Sequence, residues 1–413
     1  MENIIMTKVQ QLFEHHPISD IEGVTKEQLE ETGVSLARGS RIAIAVGSRG
    51  IANIHRIVKA TVEWVKDAGA HPFVVPAMGS HGGATARGQQ EVLEGYGITE
   101  AYIKAPIKSS MEVVELPDEG LKNRVFMDKY AYEADGTIVI NRIKVHTDFH
   151  GPVESGLMKM CVIGLGKHKQ ALEIHKYGVY GLKNLILPTA RQVLKHGNII
   201  LGIGIVENAY DETQLIKGVI PSMFEKMEME LLEYSRKLMP SLPVSQSDVL
   251  IIDEMGKDIS GVGIDTNIIG RMKIRSEEEP KTPDISSIIV TDLTEGSHGN
   301  AIGVGLADVI TRNLFQKIDF KATYENVVTS SFLERGKIPI IAESDRQALY
   351  YALRGAGIGR WEDARVIRIK NTLQLKEFYV SDSVLDEIQH KENIIVTKNV
   401  VKLITDDNNF SAF

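Results

Sequence analysis

The sequence predicts an α/β protein with two domains, each built around a largely parallel sheet that helices cover. Its 413 residues are about twice the usual length of one domain. Along the chain, short segments rich in β-branched residues alternate with segments whose apolar residues recur at helical spacing. This alternation is typical of parallel strands that are joined by right-handed helical crossovers.

The first half of the chain contains the clearest of these elements. Four segments rich in β-branched and small residues are predicted strands: 41–48, 71–80, 137–146 and 198–208. Helices are predicted after the first two strands, over 51–69 and 82–97, because each apolar pattern stops at a glycine. A long amphipathic helix over 221–240 ends at Pro240.

A second alternating series follows a short segment that contains serine and proline, 241–248. Its elements are predicted over 249–256, 286–293, 303–315, 338–344 and 345–357. We therefore predict an N-terminal α/β domain over 1–244 and a C-terminal α/β domain over 245–413.

The composition is that of an ordinary globular protein and argues against a nucleic-acid partner. The chain is 43% apolar and 25% charged, and its net charge is −8 with no dense stripe of Lys and Arg. Its one cysteine, Cys161, cannot form an internal disulfide and fits a reducing compartment. No signal peptide and no uncharged apolar run of about 20 residues is seen. We therefore expect a cytoplasmic protein outside the membrane; the sequence does not indicate its oligomeric state.

Polar residues follow several of the predicted strands, where ligands of α/β domains collect. Arg49 follows the first strand, His81 follows the second, and His146 ends the third. Gly256 and Lys257 follow the first strand of the C-terminal domain. We expect these strand ends to converge on one cleft.

Two of these strand ends are glycine-rich turns, 48–50 and 79–85. Such turns expose backbone N–H groups to phosphate or carboxylate, although many are simply tight connections. Neither turn matches the P-loop or the G-x-G-x-x-G pattern, which argues against ATP hydrolysis and ordinary NAD binding. The absence of H-E-x-x-H and C-x-x-C patterns likewise argues against a zinc site.

Lys159 is the one residue between Gly156 and Gly166 that is neither apolar nor glycine. One interpretation is a lysine that extends its charged end out of a buried helix to solvent. The other is an amine kept in apolar surroundings, where burial favours the uncharged form that covalent chemistry requires. Composition alone does not decide between them.

Four segments in order, 48–51, 77–85, 145–159 and 174–175, resemble the nickel-pincer-nucleotide-dependent lactate racemase family, and 253–271 is similar to its members too. The resemblance implies two α/β domains with the active site in the cleft between them. It implies a cofactor in which a pyridinium nucleotide (pyridinium-3,5-bisthiocarboxylic acid mononucleotide) holds nickel through two sulfur arms. By this resemblance, Lys159 attaches the cofactor, His175 is the protein ligand of nickel, and His81 and His146 are the two acid/base residues.

The resemblance also implies roles for residues at the other strand ends. Arg49, with Ser48 beside it, would lie near the cofactor or the substrate carboxylate, and Lys257 and Glu254 would contact the substrate. Departures from the family include an amide position that holds Glu254 here and a longer loop that adds His150. We prefer His146 over His150 as the second acid/base residue because His146 closes a strand.

The resemblance implies a racemase or epimerase of a 2-hydroxy acid that works by reversible hydride transfer to the cofactor through a 2-oxo acid. Hydride transfer avoids removal of a very weakly acidic α-proton, and two bases serve the two enantiomers. The departures leave the 2-hydroxy acid open. Two alternatives remain: an NAD-like or cofactor-free oxidoreductase, and a non-catalytic nucleotide- or carboxylate-binding protein in which Lys159 contacts phosphate.

Overall fold

Two large sheets organise the described residues, 4–48, 50–275 and 277–413, of this computed structural model. Each sheet belongs to one of two compact units: Glu14–Met239, and Pro240–Phe413 together with the initial segment up to Phe13. Most neighbouring strands run parallel and helices pack on the sheets. The predicted α/β fold with largely parallel, helix-covered sheets is therefore confirmed.

The sheet of Glu14–Met239 contains the strands predicted in the first half of the chain. The strands of this unit are β2 (Arg41–Val46), β3 (His71–Pro76), β4 (Val113–Leu116), β5 (Val125–Asp128), β6 (Gly136–Arg142), β7 (Ile199–Glu207) and β8 (Thr213–Val219). The sheet order is β3-β2-β6-β7-β8, parallel except for the β7–β8 pair, while β4 and β5 form a separate antiparallel pair. Strand β2 is buried from its second residue onward because apolar side chains cover both faces.

Helices of the same unit cover the sheet and carry several predicted site residues. They are α1 (Ile21–Glu31), α2 (Ile54–Asp67), α3 (Ala86–Gly95), α4 (Glu100–Ile103), α5 (Lys129–Tyr132), α6 (Leu157–Lys159), α7 (Lys167–His175), α8 (Gly178–Tyr180), α9 (Ile186–His196) and α10 (Phe224–Leu238). A π-helical turn, Met160–Gly164, follows α6, and a second one, Gly181–Leu185, precedes α9. The amphipathic pattern of 221–240 thus corresponds to α10.

The eight-stranded sheet of the other unit joins the two ends of the chain. Its strands are β1 (Ile5–Gln11), β9 (Gln246–Met255), β10 (Asp284–Leu293), β11 (Val309–Thr311), β12 (Ile340–Ala342), β13 (Val366–Asn371), β14 (Gln374–Ser381) and β15 (Ile394–Lys402). Their order is β12-β11-β10-β9-β13-β14-β1-β15, parallel from β12 to β13 and antiparallel beyond. The helices are α11 (Thr266–Ile269), α12 (Arg312–Gln316), α13 (Phe320–Ser330), α14 (Asp345–Gly355) and α15 (Asp382–Ile388).

Strand β1 places the beginning of the chain in the sheet of Pro240–Phe413, which the predicted domain 1–244 did not anticipate. The functional roles assigned to 1–244 and 245–413 stay predictions. Among the residues that the structure describes, no helix is both long and apolar enough to cross a lipid bilayer.

Candidate functional site

His81 lies in the glycine-rich turn between β3 and α3, beside the end of the neighbouring strand β2. Because β2 and β3 are parallel partners, their carboxyl ends lie at the same edge of the sheet. Ser48 follows β2, and its Oγ forms a short hydrogen bond with Nδ1 of His81. The structure therefore brings these two predicted residues together, with Ser48 orienting the ring of His81.

His146 lies in a loop after β6 that is closed at its base by backbone pairing of Lys144 with Ser155. Inside the loop, the backbone N–H of His146 donates to Oε2 of Glu154 at 2.6 Å. Nε2 of the His146 ring lies 2.5 Å from Nζ of Lys159, at the end of α6. The ring also packs against Phe149, with 4.6 Å between centroids. Two residues predicted for separate roles are thus in direct contact.

The two ring nitrogens of His146 have different partners. Nδ1 accepts the backbone N–H of Asp148 at 3.0 Å, and Oδ2 of the Asp148 carboxylate lies 3.8 Å from the same nitrogen. Nε2 faces Nζ of Lys159, and the tautomer of the ring decides which of these two nitrogens donates. The contact therefore couples the protonation of His146 to that of Lys159.

His150, the alternative acid/base residue, has different partners. Its Nδ1 lies 3.3 Å from Oε1 of Glu154, an oxygen that also accepts from the backbone of Gly151 and from Arg236 on α10. The Glu154 side chain is fully buried. The structure thus places His146 against Lys159 and places His150 against the carboxylate that organises the loop.

His175, the predicted nickel ligand, ends α7 and is half-buried. Burial lowers the pKa of the His175 imidazole, a positive charge on nearby Lys159 would lower it further, and Asp148 opposes this shift. The ring is therefore neutral at neutral pH, which is the form that binds metals. Its electrostatic link to Lys159 and Asp148 associates His175 with the His146 loop.

The helix that carries Lys159 packs tightly against the turn that carries His81. A Cβ atom on Gly164 would lie 2.8 Å from the carbonyl oxygen of Ala77, so only glycine permits this approach. The backbone N–H of Gly79 also donates to the carbonyl of Gly164, at 3.4 Å. The His81 turn and the Lys159 helix therefore form one packed structure.

Sequence reasoning missed Glu228, a fully buried residue of α10. Its Oε2 accepts the backbone N–H of Met158 at 2.8 Å, and Oε1 has no hydrogen-bond partner among the described residues. Burial raises the pKa of this carboxyl from 4.5 to about 7. Glu228 lies on the same face of α10 as the buried residues Phe224, Leu231 and Leu232. This helical spacing is the sequence signal that could have identified Glu228 as a buried acid.

The remaining predicted residues have local partners or lie outside the description. Glu254, near the end of β9, accepts from Asn371 at 3.0 Å and lies 3.3 Å from the ammonium of Lys370. Lys257 donates its Nζ to Asn326 at 2.7 Å. Arg49 falls outside the described residues. The predicted substrate contacts of Glu254, Lys257 and Arg49 stay predictions.

Comparison with known proteins assigns the chain to a family. Residues 46–254, just over half of the sequence, match the family described as Domain of unknown function (DUF362). The chain belongs to the DUF362 family. The region that matches DUF362 contains every predicted site residue except Lys257, which follows it.

The fold has a counterpart among solved structures. This DUF362 chain is similar to the lactate racemase apoprotein from Thermoanaerobacterium thermosaccharolyticum, with a TM-score of 0.51 and 11% sequence identity. The similarity covers 88% of this chain and 94% of the racemase chain, and at this identity it shows a shared fold. No curated protein sequence matches the chain.

Proposed function

We propose that this DUF362 protein is a nickel-pincer-nucleotide-dependent racemase or epimerase of a 2-hydroxy acid. The observation that carries the proposal is the 2.5 Å contact between Nε2 of His146 and Nζ of Lys159, with His175 in electrostatic range of Lys159. The fold shared with a lactate racemase apoprotein supports it. The order and spacing of the sequence segments that resemble the racemase family add independent support.

The chemistry of the side chains fits this cofactor. Lys159 would form the amide-like bond through its uncharged amine, and a neutral His175 imidazole suits nickel. In the described residues no group of three or more His, Cys, Asp or Glu side chains is arranged to hold a metal ion. One histidine therefore needs further ligands from elsewhere, such as cofactor sulfur. When bound, the cofactor would supply an electron-poor centre for reversible transfer of the α-hydrogen as hydride.

The two histidines supply the proton transfers in this proposal. His146 would exchange its proton through Nε2, the nitrogen that faces Lys159, because Nδ1 accepts from the backbone of Asp148. The His81 ring is oriented through Nδ1 by Ser48. The two enantiomers present their hydroxyl groups in different places, so each histidine would remove or return the hydroxyl proton of one enantiomer. Ser48 and Arg49 would lie by the cofactor, and Arg49, Lys257 and Glu254 would orient the substrate.

A panel of chiral 2-hydroxy acids tests the proposal, with protein produced in cells that synthesise the cofactor. We expect inversion of at least one acid, and its loss in His81→Gln and in His146→Gln. His196→Gln is a matched control because His196 pairs with Glu119 away from these residues. Inversion that persists without nickel would favour the alternative oxidoreductase, and tight binding without turnover would favour the binding protein.

A further inference from the structure

The side chain of Gln89 is fully buried and donates hydrogen bonds to backbone carbonyl groups of the turn that carries His81. From the first turn of α3, Nε2 of Gln89 donates to the carbonyl of Gly79 at 2.8 Å and to that of His81 at 3.3 Å. A buried amide must satisfy both its donors and its acceptor. Both N–H groups of the Gln89 amide therefore donate to backbone carbonyls, one on each side of residue 80, and these bonds restrain the peptide units around His81.

The acceptor of Gln89 is used by a second buried side chain. Nζ of Lys167 lies 3.3 Å from Oε1 of Gln89 and also donates to the carbonyl of Pro76, the last residue of β3. Lys167 is fully buried, and its ammonium lies 3.1 Å from the equally buried carboxylate of Asp128. Burial lowers the pKa of Lys167, and the Asp128 carboxylate opposes this shift.

Lys167 begins α7, which leads from the Lys159 segment to His175. The backbone of Lys167 is in the left-handed region, with φ of 56°. Residues other than glycine rarely adopt this conformation because it costs stability. A buried ion pair also contributes little net stability compared with apolar residues of similar size. Two unfavourable features coincide at one residue, which points to a role in geometry rather than in stability.

We infer that Gln89 and Lys167 are positioning residues that fix the His81 turn, an inference that rests on the acid/base role proposed for His81. Lys167 ties the end of β3 to the start of α7, and Gln89 extends that tie to the backbone of His81. The two residues thereby link the acid/base histidine to the segments that carry Lys159 and His175. Neither residue is placed in contact with substrate or cofactor.

Gln89→Glu is the sharpest test because it keeps the volume and the acceptor for Lys167 but removes the two donors to the turn. Gln90→Glu is the matched control, since the partly exposed Gln90 side chain donates to Glu94 of the same helix and, among the described residues, forms no hydrogen bond with the backbone of the His81 turn. The first readout is the ring ¹⁵N spectrum of His81 in the full chain, assigned by His81→Gln. The second is the pH profile of kcat in the cofactor-loaded enzyme.

In Gln89→Glu we expect shifted His81 ring signals, a displaced pH profile and a kcat lowered about 10- to 100-fold with KM within about threefold, as for a misplaced catalytic group. Gln90→Glu should leave all three unchanged. Unchanged His81 signals in folded Gln89→Glu would overturn the inference. If wild-type protein inverts no substrate, the proposed function fails, while the His81 spectrum still decides the positioning of the turn.

A second variant keeps the inference testable if Gln89→Glu does not fold. Lys167→Met with Asp128→Asn removes both buried charges together, and the asparagine retains the oxygen that accepts from Ala131 at 2.9 Å. We expect the same displacement of the His81 ring signals in this double variant. Lys169→Met, an exposed lysine of the same helix, is its control. Signals identical to those of the wild type in the double variant would contradict the inference.

Discussion

The wild-type protein should lose stability as the pH rises because the buried carboxyl of Glu228 ionises, and Glu228→Gln should not show this loss. The carboxyl of Glu228 caps the first turn of the helix that carries Lys159 by accepting the N–H of Met158. Its second oxygen has no partner among the described residues, and burial is the largest influence on its pKa. The hydrogen bonds and Lys159 lower this pKa by less than burial raises it.

The magnitude follows from the pKa of Glu228 in the two states. It is about 7 in the folded protein and near 4.5 in the unfolded chain, and each pH unit of difference corresponds to 1.36 kcal/mol. The folded state binds this proton more tightly, so the contribution of Glu228 to the free energy of unfolding is fully present below pH 4.5. This contribution falls by about 3 kcal/mol as the pH rises to 7, and it changes little above that pH.

Urea unfolding of the full chain at pH values from 5 to 8 measures this effect. The stability of Glu228→Gln relative to the wild type should rise across this range by up to about 3 kcal/mol, in favour of the variant at high pH. Glu230→Gln, at an exposed position of the same helix, should follow the wild type within about 0.5 kcal/mol. A difference between Glu228→Gln and the wild type that does not change with pH would refute the reasoning.

Two further substitutions test the packing around the turn and the helix by thermal unfolding. Gly82→Ala should destabilise the protein by more than about 2 kcal/mol, because φ is 63° and the new Cβ would lie 2.4 Å from the backbone of α3. Gly83 has the same φ, but open space surrounds the position of its Cβ, so Gly83→Ala should cost only about 1 kcal/mol. Equal effects of the two would contradict the close contact. Lys167→Met should cost about 3–5 kcal/mol because it leaves the carboxylate of Asp128 buried without its cation, whereas Lys169→Met should be nearly neutral. A small effect of Lys167→Met would show that Asp128 is neutral in the folded protein.

The local pattern of the sequence predicted the parallel strands because a buried parallel strand is a nearly continuous apolar segment. Strands β2, β3, β6 and β7 all have this pattern. Strand β1 does not, since its sequence IMTKVQQ mixes polar and apolar residues. Its partners β14 and β15 lie at the other end of the chain, and no local signal reports such a pairing.

The sequence predicted the site residues that directly follow strand ends, but it did not predict contacts that depend on which residues are buried in the fold. The end of β2 and the turn after β3 do bring Ser48 and His81 together. The contact of His146 with Lys159 depends on a loop that folds back across 13 residues. Glu154 shows the limit most clearly, because it lies between a proline-containing turn and a glycine and has the sequence context of an exposed acid. Only the folded loop makes it a buried acceptor for the His146 backbone.

Native mass spectrometry of the full chain, purified from cells that synthesise the nickel-pincer nucleotide, tests the central claim most directly. We predict one nickel-containing nucleotide per chain, its nickel lost in His175→Ala, and no change in His196→Ala. Denaturation of the same sample then shows whether the nucleotide is bound covalently to Lys159. A wild-type chain that inverts a 2-hydroxy acid while its mass equals that of the polypeptide alone would contradict the account.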